Sequence, residues 1–161
     1  KMFNSLKECG YLVVSSKGRY LRRTETLLSL FVDNYNRLVK SKNILASMNF
    51  MPGCKDNWAD IILPEGMQWG GEPAAYKRDR YLFPEVWDIY SSVASAKLIA
   101  RRIAVPASEG CIRVYRKFWQ DDDSSTAPAL IIYADLMGSG DSRCIEAAQR
   151  ILENELSYLR K

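Results

Sequence analysis

Trp69-Gly70-Gly71-Glu72-Pro73-Ala74-Ala75, running on through Tyr81-Leu82-Phe83-Pro84 to Val86-Trp87-Asp88-Ile89-Tyr90, alternates helix and strand signals within a short span. Pro73 suits the first turn of a helix, where its missing N–H costs nothing. The glycines and alanines around it would let that helix, ending near Leu82, lie close against a sheet. Residues 86–93 read as a strand. A helix followed at once by a strand is the unit of an α/β fold.

Working outward, 43–51 reads as a strand stopped by Pro52-Gly53, and 56–63 as a short helix ended by Pro64. Residues 94–102 read as a short helix or loop. Residues 111–118 alternate Ile112, Val114 and Phe118 with Arg113, Arg116 and Lys117, the pattern of a half-exposed strand. The run 129–134 is wholly apolar and is read as a buried strand ending at Asp135. Gly138-Ser139-Gly140 turns the chain, and Asp141 caps a last helix with a stripe of Ile145, Ala148, Leu152, Leu156 and Leu159. The fold expected is α/β (or α+β): a mixed sheet over 43–161, flanked by helices.

The front is different. Helix-compatible residues from Asn4 to Cys9 stop at Gly10, and Tyr11-Leu12-Val13-Val14 and Arg19-Tyr20-Leu21-Arg22 flank Ser15-Ser16-Lys17-Gly18. Two β-prone runs around a turn ending in glycine predict a hairpin. Helix end, glycine and hairpin are the closing half of a winged helix-turn-helix. The chain starts at Lys1 without a methionine and is read as a fragment whose first half of that motif lies upstream. Thr24 is expected to cap a helix from Glu25, with Leu27, Phe31, Tyr35 and Leu38 on its apolar face. The division is therefore 1–23 as the head, 24–42 as a bridging helix and 43–161 as the body.

Charge follows that division. Residues 1–42 hold nine lysines and arginines against three acids, whereas 43–161 hold fourteen against sixteen. A basic head on a slightly acidic body suits a polyanion contacted at one end. Lys17, Arg19, Arg22 and Arg23 are the candidate DNA-binding residues, and DNA the candidate partner.

Enzymatic classes are narrowed by what is missing. There is no histidine, so no Ser-His or Cys-His nucleophile pair forms. The cysteines at 9, 54, 111 and 144 form no C-x-x-C and are read as buried thiols of a reducing, cytoplasmic compartment. No apolar run is long enough to span a membrane, and no leader pattern opens the chain. The glycine-rich pieces lack the lysine of a P-loop and the third glycine of a dinucleotide fingerprint. Asp121-Asp122-Asp123-Ser124-Ser125 reads as a solvated loop and not a calcium loop. Glu72, opening a helix, and Asp135 are the one carboxylate pair placed within reach of each other. No Asp/Glu-x-Lys triplet accompanies them, so neither a metal nor a cofactor is expected. The two acids are expected to be well separated or neutralised by lysine, arginine or backbone N–H groups.

Together these segments resemble a known family. Trp69-Gly70-Gly71-Glu72-Pro73-Ala74-Ala75 with Tyr81-Leu82-Phe83-Pro84 and Asp88-Ile89-Tyr90 is similar to the central motif of the AbiEi antitoxins of type IV toxin–antitoxin systems. Leu130-Ile131-Ile132-Tyr133-Ala134-Asp135-Leu136, Gly140-Asp141-Ser142-Arg143 and Glu146-Ala147-Ala148 resemble that family's ending, and Leu27-Leu28 with Tyr35 its bridging helix. The resemblance implies a transcriptional regulator with an N-terminal winged helix-turn-helix and a C-terminal antitoxin domain. It also implies a restriction-endonuclease-like body with a degenerate active site. The partner implied is a nucleotidyltransferase-like toxin, opposed functionally rather than by stable binding. The expected function is thus a non-enzymatic repressor and antitoxin. Two other readings use the same residues: an active metal-dependent nuclease, and a protein–protein scaffold whose basic hairpin is only solvated.

Overall fold

A computed structural model describes residues 2–120 and 122–160. Lys1, and Asp121 of the loop read at 121–125, lie outside the described residues.

Helix α1 (Met2–Glu8) ends where Gly10 takes φ +75°, and β1 (Leu12–Ser15) and β2 (Gly18–Leu21) follow as an antiparallel pair. Leu12 lies opposite Leu21 and Ser15 opposite Gly18, leaving Ser16 and Lys17 as the exposed turn. Helix α2 (Thr24–Asn34) begins one residue earlier than expected. Its cap position is Arg23, in the left-handed region at φ 53°, and no side chain caps it. The winding then widens into a π turn over Tyr35–Val39 and tightens into a 3-10 turn over Lys40–Lys42. The extra residue of the π turn rotates the next side chains about the helix axis. Leu38, expected on the apolar face, is exposed, while Val39 and Lys40 turn inward.

The body is a mixed five-stranded sheet flanked by helices. Its strands are β3 (Ile44–Phe50), β4 (Met67–Gly70), β5 (Trp87–Ser91), β6 (Ala104–Pro106) and β7 (Ile112–Arg116). Their order is β4-β5-β7-β3-β6. Only β5 and β7 run parallel, with Asp88 opposite Arg113 and Tyr90 opposite Tyr115. All five residues of β5 are buried, as befits a strand covered on both faces. Strands at 43–51, 86–93 and 111–118 were expected; β4 and β6 were not, being four and three residues long and without alternation.

The expected strand at 129–135 is a helix, α5 (Ala129–Gly138). A six-residue apolar run carries no period, and burial on every side suits a central helix as well as a central strand. Ile131 through Leu136 are all buried, between the sheet side of the molecule, α2 and α6 (Ser142–Glu155). Asp135 is accordingly a mid-helix residue, not a strand end. Helix α3 (Gly71–Asp79) packs on β4, β5 and α5. The segment 56–63 holds only a 3-10 turn, Trp58–Asp60, and α4 (Ala96–Ala100) fills 94–102.

Asp141 caps α6, accepting the Arg143 amide at 2.9 Å. The buried face of α6 is Cys144, Ala147, Ala148, Ile151 and Leu152, and Ile145 lies on the exposed side. Of the four cysteines only Cys144 is buried. Cys9 is exposed at the end of α1, and Cys54 and Cys111 are half-buried in loops, so the expectation of four buried thiols fails. Among the described residues no helix is long and apolar enough to cross a membrane.

Candidate functional site

The body's polar centre is built where three elements meet: β5 supplies Asp88, α5 supplies Asp135, and the turn after α2 supplies Lys40. Both carboxylates are almost wholly buried. The Lys40 ammonium lies between them, 2.7 Å from Asp88 Oδ2 and 2.8 Å from Asp135 Oδ1. Arg113, beside Asp88 in the β5–β7 register, donates from Nε to the other Asp88 oxygen at 2.9 Å. The Tyr90 and Tyr35 hydroxyls lie 2.7 Å and 3.0 Å from Asp135 Oδ1 and also contact each other, so their two protons are shared among these three contacts. The Gly71 amide at the start of α3 donates to Asp135 Oδ2 at 3.0 Å. The ring of Tyr115 lies 4.8 Å from the Lys40 ammonium.

Burying two carboxylates without a cation would cost several kcal/mol. Here each has one. Burial lowers the Lys40 pKa, but Asp135 and Asp88 outweigh it, and the ammonium is held above its ordinary value. Burial pushes Asp88 up, yet Lys40 and Arg113 bring it below the ordinary carboxylate range. Asp135 is different: burial, reinforced by Asp88, leaves it raised although Lys40 and Tyr90 pull down. Burial also raises Tyr35 and Tyr90, with the Asp135 charge adding to it, so both hydroxyls keep their protons and act as donors.

Glu72 lies on the rim of the same centre. Its Oε2 accepts the Glu85 amide at 2.8 Å and stands 4.0 Å from Arg143. Arg143 also pairs with Glu85 at 3.2 Å and Asp141 at 3.0 Å. A cavity of about 470 Å³ runs past Lys40, Arg113, Asp135, Glu72, Glu85 and Asp141. Glu72 and Asp135 thus line one cavity but are neutralised by different partners. Among the described residues no three His, Cys, Asp or Glu side chains converge as a metal-ligand set.

The remaining motif residues shape this centre. Trp69 is buried against Trp58, ring centroids 5.4 Å apart, and its backbone bonds to Ser125 and Ala127 on the far side of β4. A Cβ on Gly70 would fall inside the ring of Tyr90. Gly71 takes φ +46°, a left-handed conformation that L side chains rarely adopt, and a Cβ there would also meet Asp88 Oδ2 at 3.0 Å. Both glycines are spent on bringing α3 close to the acids.

Asp88, Lys40 and Arg113 were missed as site residues by sequence reasoning. A signal existed for the first: Asp88 is the only charged residue in the Trp87–Ser91 strand. Lys40 carried none, because its inward direction depends on the π turn.

Lys17, Arg19, Arg22 and Arg23 lie elsewhere, exposed on the hairpin and just after it. The Arg19 guanidinium stands 5.6 Å from the Phe3 ring centroid of α1, and that of Arg23 5.6 Å from the Tyr11 centroid, so both charged ends lie over aromatic faces.

Residues 20–157 match a protein family described as transcriptional regulator, AbiEi antitoxin, type IV TA system. Neither a curated protein nor a solved structure matches the chain. The family match takes in helix α2, the whole five-stranded sheet and every residue of the acid centre, and the chain belongs to the AbiEi antitoxin family of type IV toxin–antitoxin transcriptional regulators.

Proposed function

We propose that the chain belongs to a cytoplasmic, non-enzymatic repressor and antitoxin that binds DNA through its head and opposes a nucleotidyltransferase-like toxin through its body. The labour divides along the chain: residues 1–23 are the end of a winged helix-turn-helix, 24–42 the bridge and 43–161 the antitoxin domain of restriction-endonuclease-like ancestry. What supports the DNA-binding role is the hairpin: its tip is exposed, and Lys17, Arg19, Arg22 and Arg23 are all exposed on it or just after it. Lys17, Arg19, Arg22 and Arg23 contact phosphates, which position a protein without reading sequence.

The observation that carries the non-enzymatic reading is the placement of Lys40. A nuclease of this class holds a divalent ion between converging carboxylates and activates a water on it. Between Asp88 and Asp135 that position is taken by an ammonium tethered to the protein. Glu72 and Asp135 serve as structural acceptors at their helix and turn contacts.

Two assays on the full-length parent test the proposal. Repression of a reporter from its own promoter should require the basic hairpin. Co-expression should restore growth to cells carrying a nucleotidyltransferase-like toxin. A parent that represses nothing and rescues nothing would sink this reading and favour the scaffold.

A further inference from the structure

The winding of the bridging segment changes where it meets the acids. In the π turn the Lys40 amide donates to the Tyr35 carbonyl five residues back. At α-helical pitch, residues five apart stand about 140° apart around the axis. The wider turn puts Tyr35 and Lys40 on one side, and both reach Asp135 Oδ1, the hydroxyl at 3.0 Å and the ammonium at 2.8 Å. Lys40 goes on to Asp88, on a different element. The cation that bridges β5 and α5 therefore comes from neither, but from the segment that carries the hairpin. A helix held only by packing would need no such contact: Leu28 and Tyr35 are buried already.

We propose that Lys40 is a latch, making the docking of the bridging helix on the body and the neutralisation of the Asp88–Asp135 pair a single event. The helix cannot lift without leaving the buried Asp135 without a cation and Asp88 with Arg113 alone. Asp135 has no other cation among the described residues, so this chain cannot neutralise the pair as a whole without the helix in place. The position of the hairpin relative to the body is thereby tied to the charge state of the body's centre. This goes beyond the regulatory reading and does not depend on DNA or a toxin.

Thermal unfolding and hydrogen exchange of the chain, Lys40→Met, Asp135→Asn and the double variant test it. Breaking one side of a buried pair should lower the Tm of Lys40→Met by roughly 10 °C. Exchange over 28–39 should quicken about tenfold or more, ahead of any change in β5 and β7. The double variant should regain at least about half of the lost Tm, because the uncompensated charge is gone. Should Lys40→Met fail to fold, the double variant should still unfold cooperatively. Wild-type exchange over 28–39 in Lys40→Met would overturn the latch, as would a loss spread evenly over helix and sheet. A double variant no more stable than Lys40→Met would assign the effect to the lysine's methylenes and overturn it equally.

Discussion

The Asp135 carboxylate, in the middle of α5, caps α3 from outside: its Oδ2 accepts the Gly71 amide at 3.0 Å. A helix N-terminus leaves backbone donors without intrahelical partners. The cap position of α3 is Gly70, which has no side chain to meet them. The acceptor is therefore supplied by another helix, and the motif at 69–72 and the one at 130–136 form one unit.

Gly71→Ala tests that unit. The substitution forces a Cβ onto a left-handed residue and against the Asp88 carboxylate. A loss of about 1–3 kcal/mol is expected, a Tm drop of several degrees. Thermal unfolding checks it, and an unchanged Tm would mean that α3 can shift away from Asp88 freely.

Acid should weaken the centre through Asp88. Its folded-state pKa is below the unfolded value of 3.8, so its contribution is complete above that pH and is lost as pH falls through the lowered value. Asp135, raised by burial, acts with the opposite sign and loses stability as pH rises from 3.8 through its own raised pKa. Asp88→Asn isolates the first effect. Urea unfolding should find the variant weaker than wild type at neutral pH, with the gap narrowing below about pH 4. A gap that ignores pH would show that Asp88 does not titrate as part of the pair. On the alkaline side, Lys40 is raised, so its contribution is intact below 10.5 and is lost only above it.

In the full-length parent, Lys17→Ala with Arg19→Ala should weaken binding to all DNA sites alike. The dependence of log affinity on log salt should flatten by roughly one unit for each phosphate no longer touched. A titration in which affinity and slope stay put would remove the hairpin from the interface.

Purified protein with Mg²⁺ or Mn²⁺ should leave plasmid and linear DNA intact at high protein excess, because the carboxylates that would hold the ion are bridged by Lys40. Cleavage that disappears in Glu72→Gln or Asp135→Asn would reverse this and establish the nuclease reading.

The sequence by itself determined what neighbours along the chain decide. Gly10, the Ser16-Lys17 turn and the β-prone runs beside them specify the hairpin, and Asp141 caps α6 with its own side chain. Strands β3, β5 and β7 were legible because turn residues and alternation mark them locally. The tertiary structure decided the rest. The run at 129–134 is apolar without a period, and only its enclosure by α2, α3 and α6 makes it a helix. The edge strands β4 and β6 exist because β5 and β3 offer them hydrogen bonds, not because their own residues demand it. Above all, the meeting of Lys40, Asp88 and Asp135 depends on one extra residue in a helical turn and on the close approach of three elements. No spacing in the chain encodes it, since charge pairing at 2.7 Å is set by where backbones cross and not by distance along the sequence.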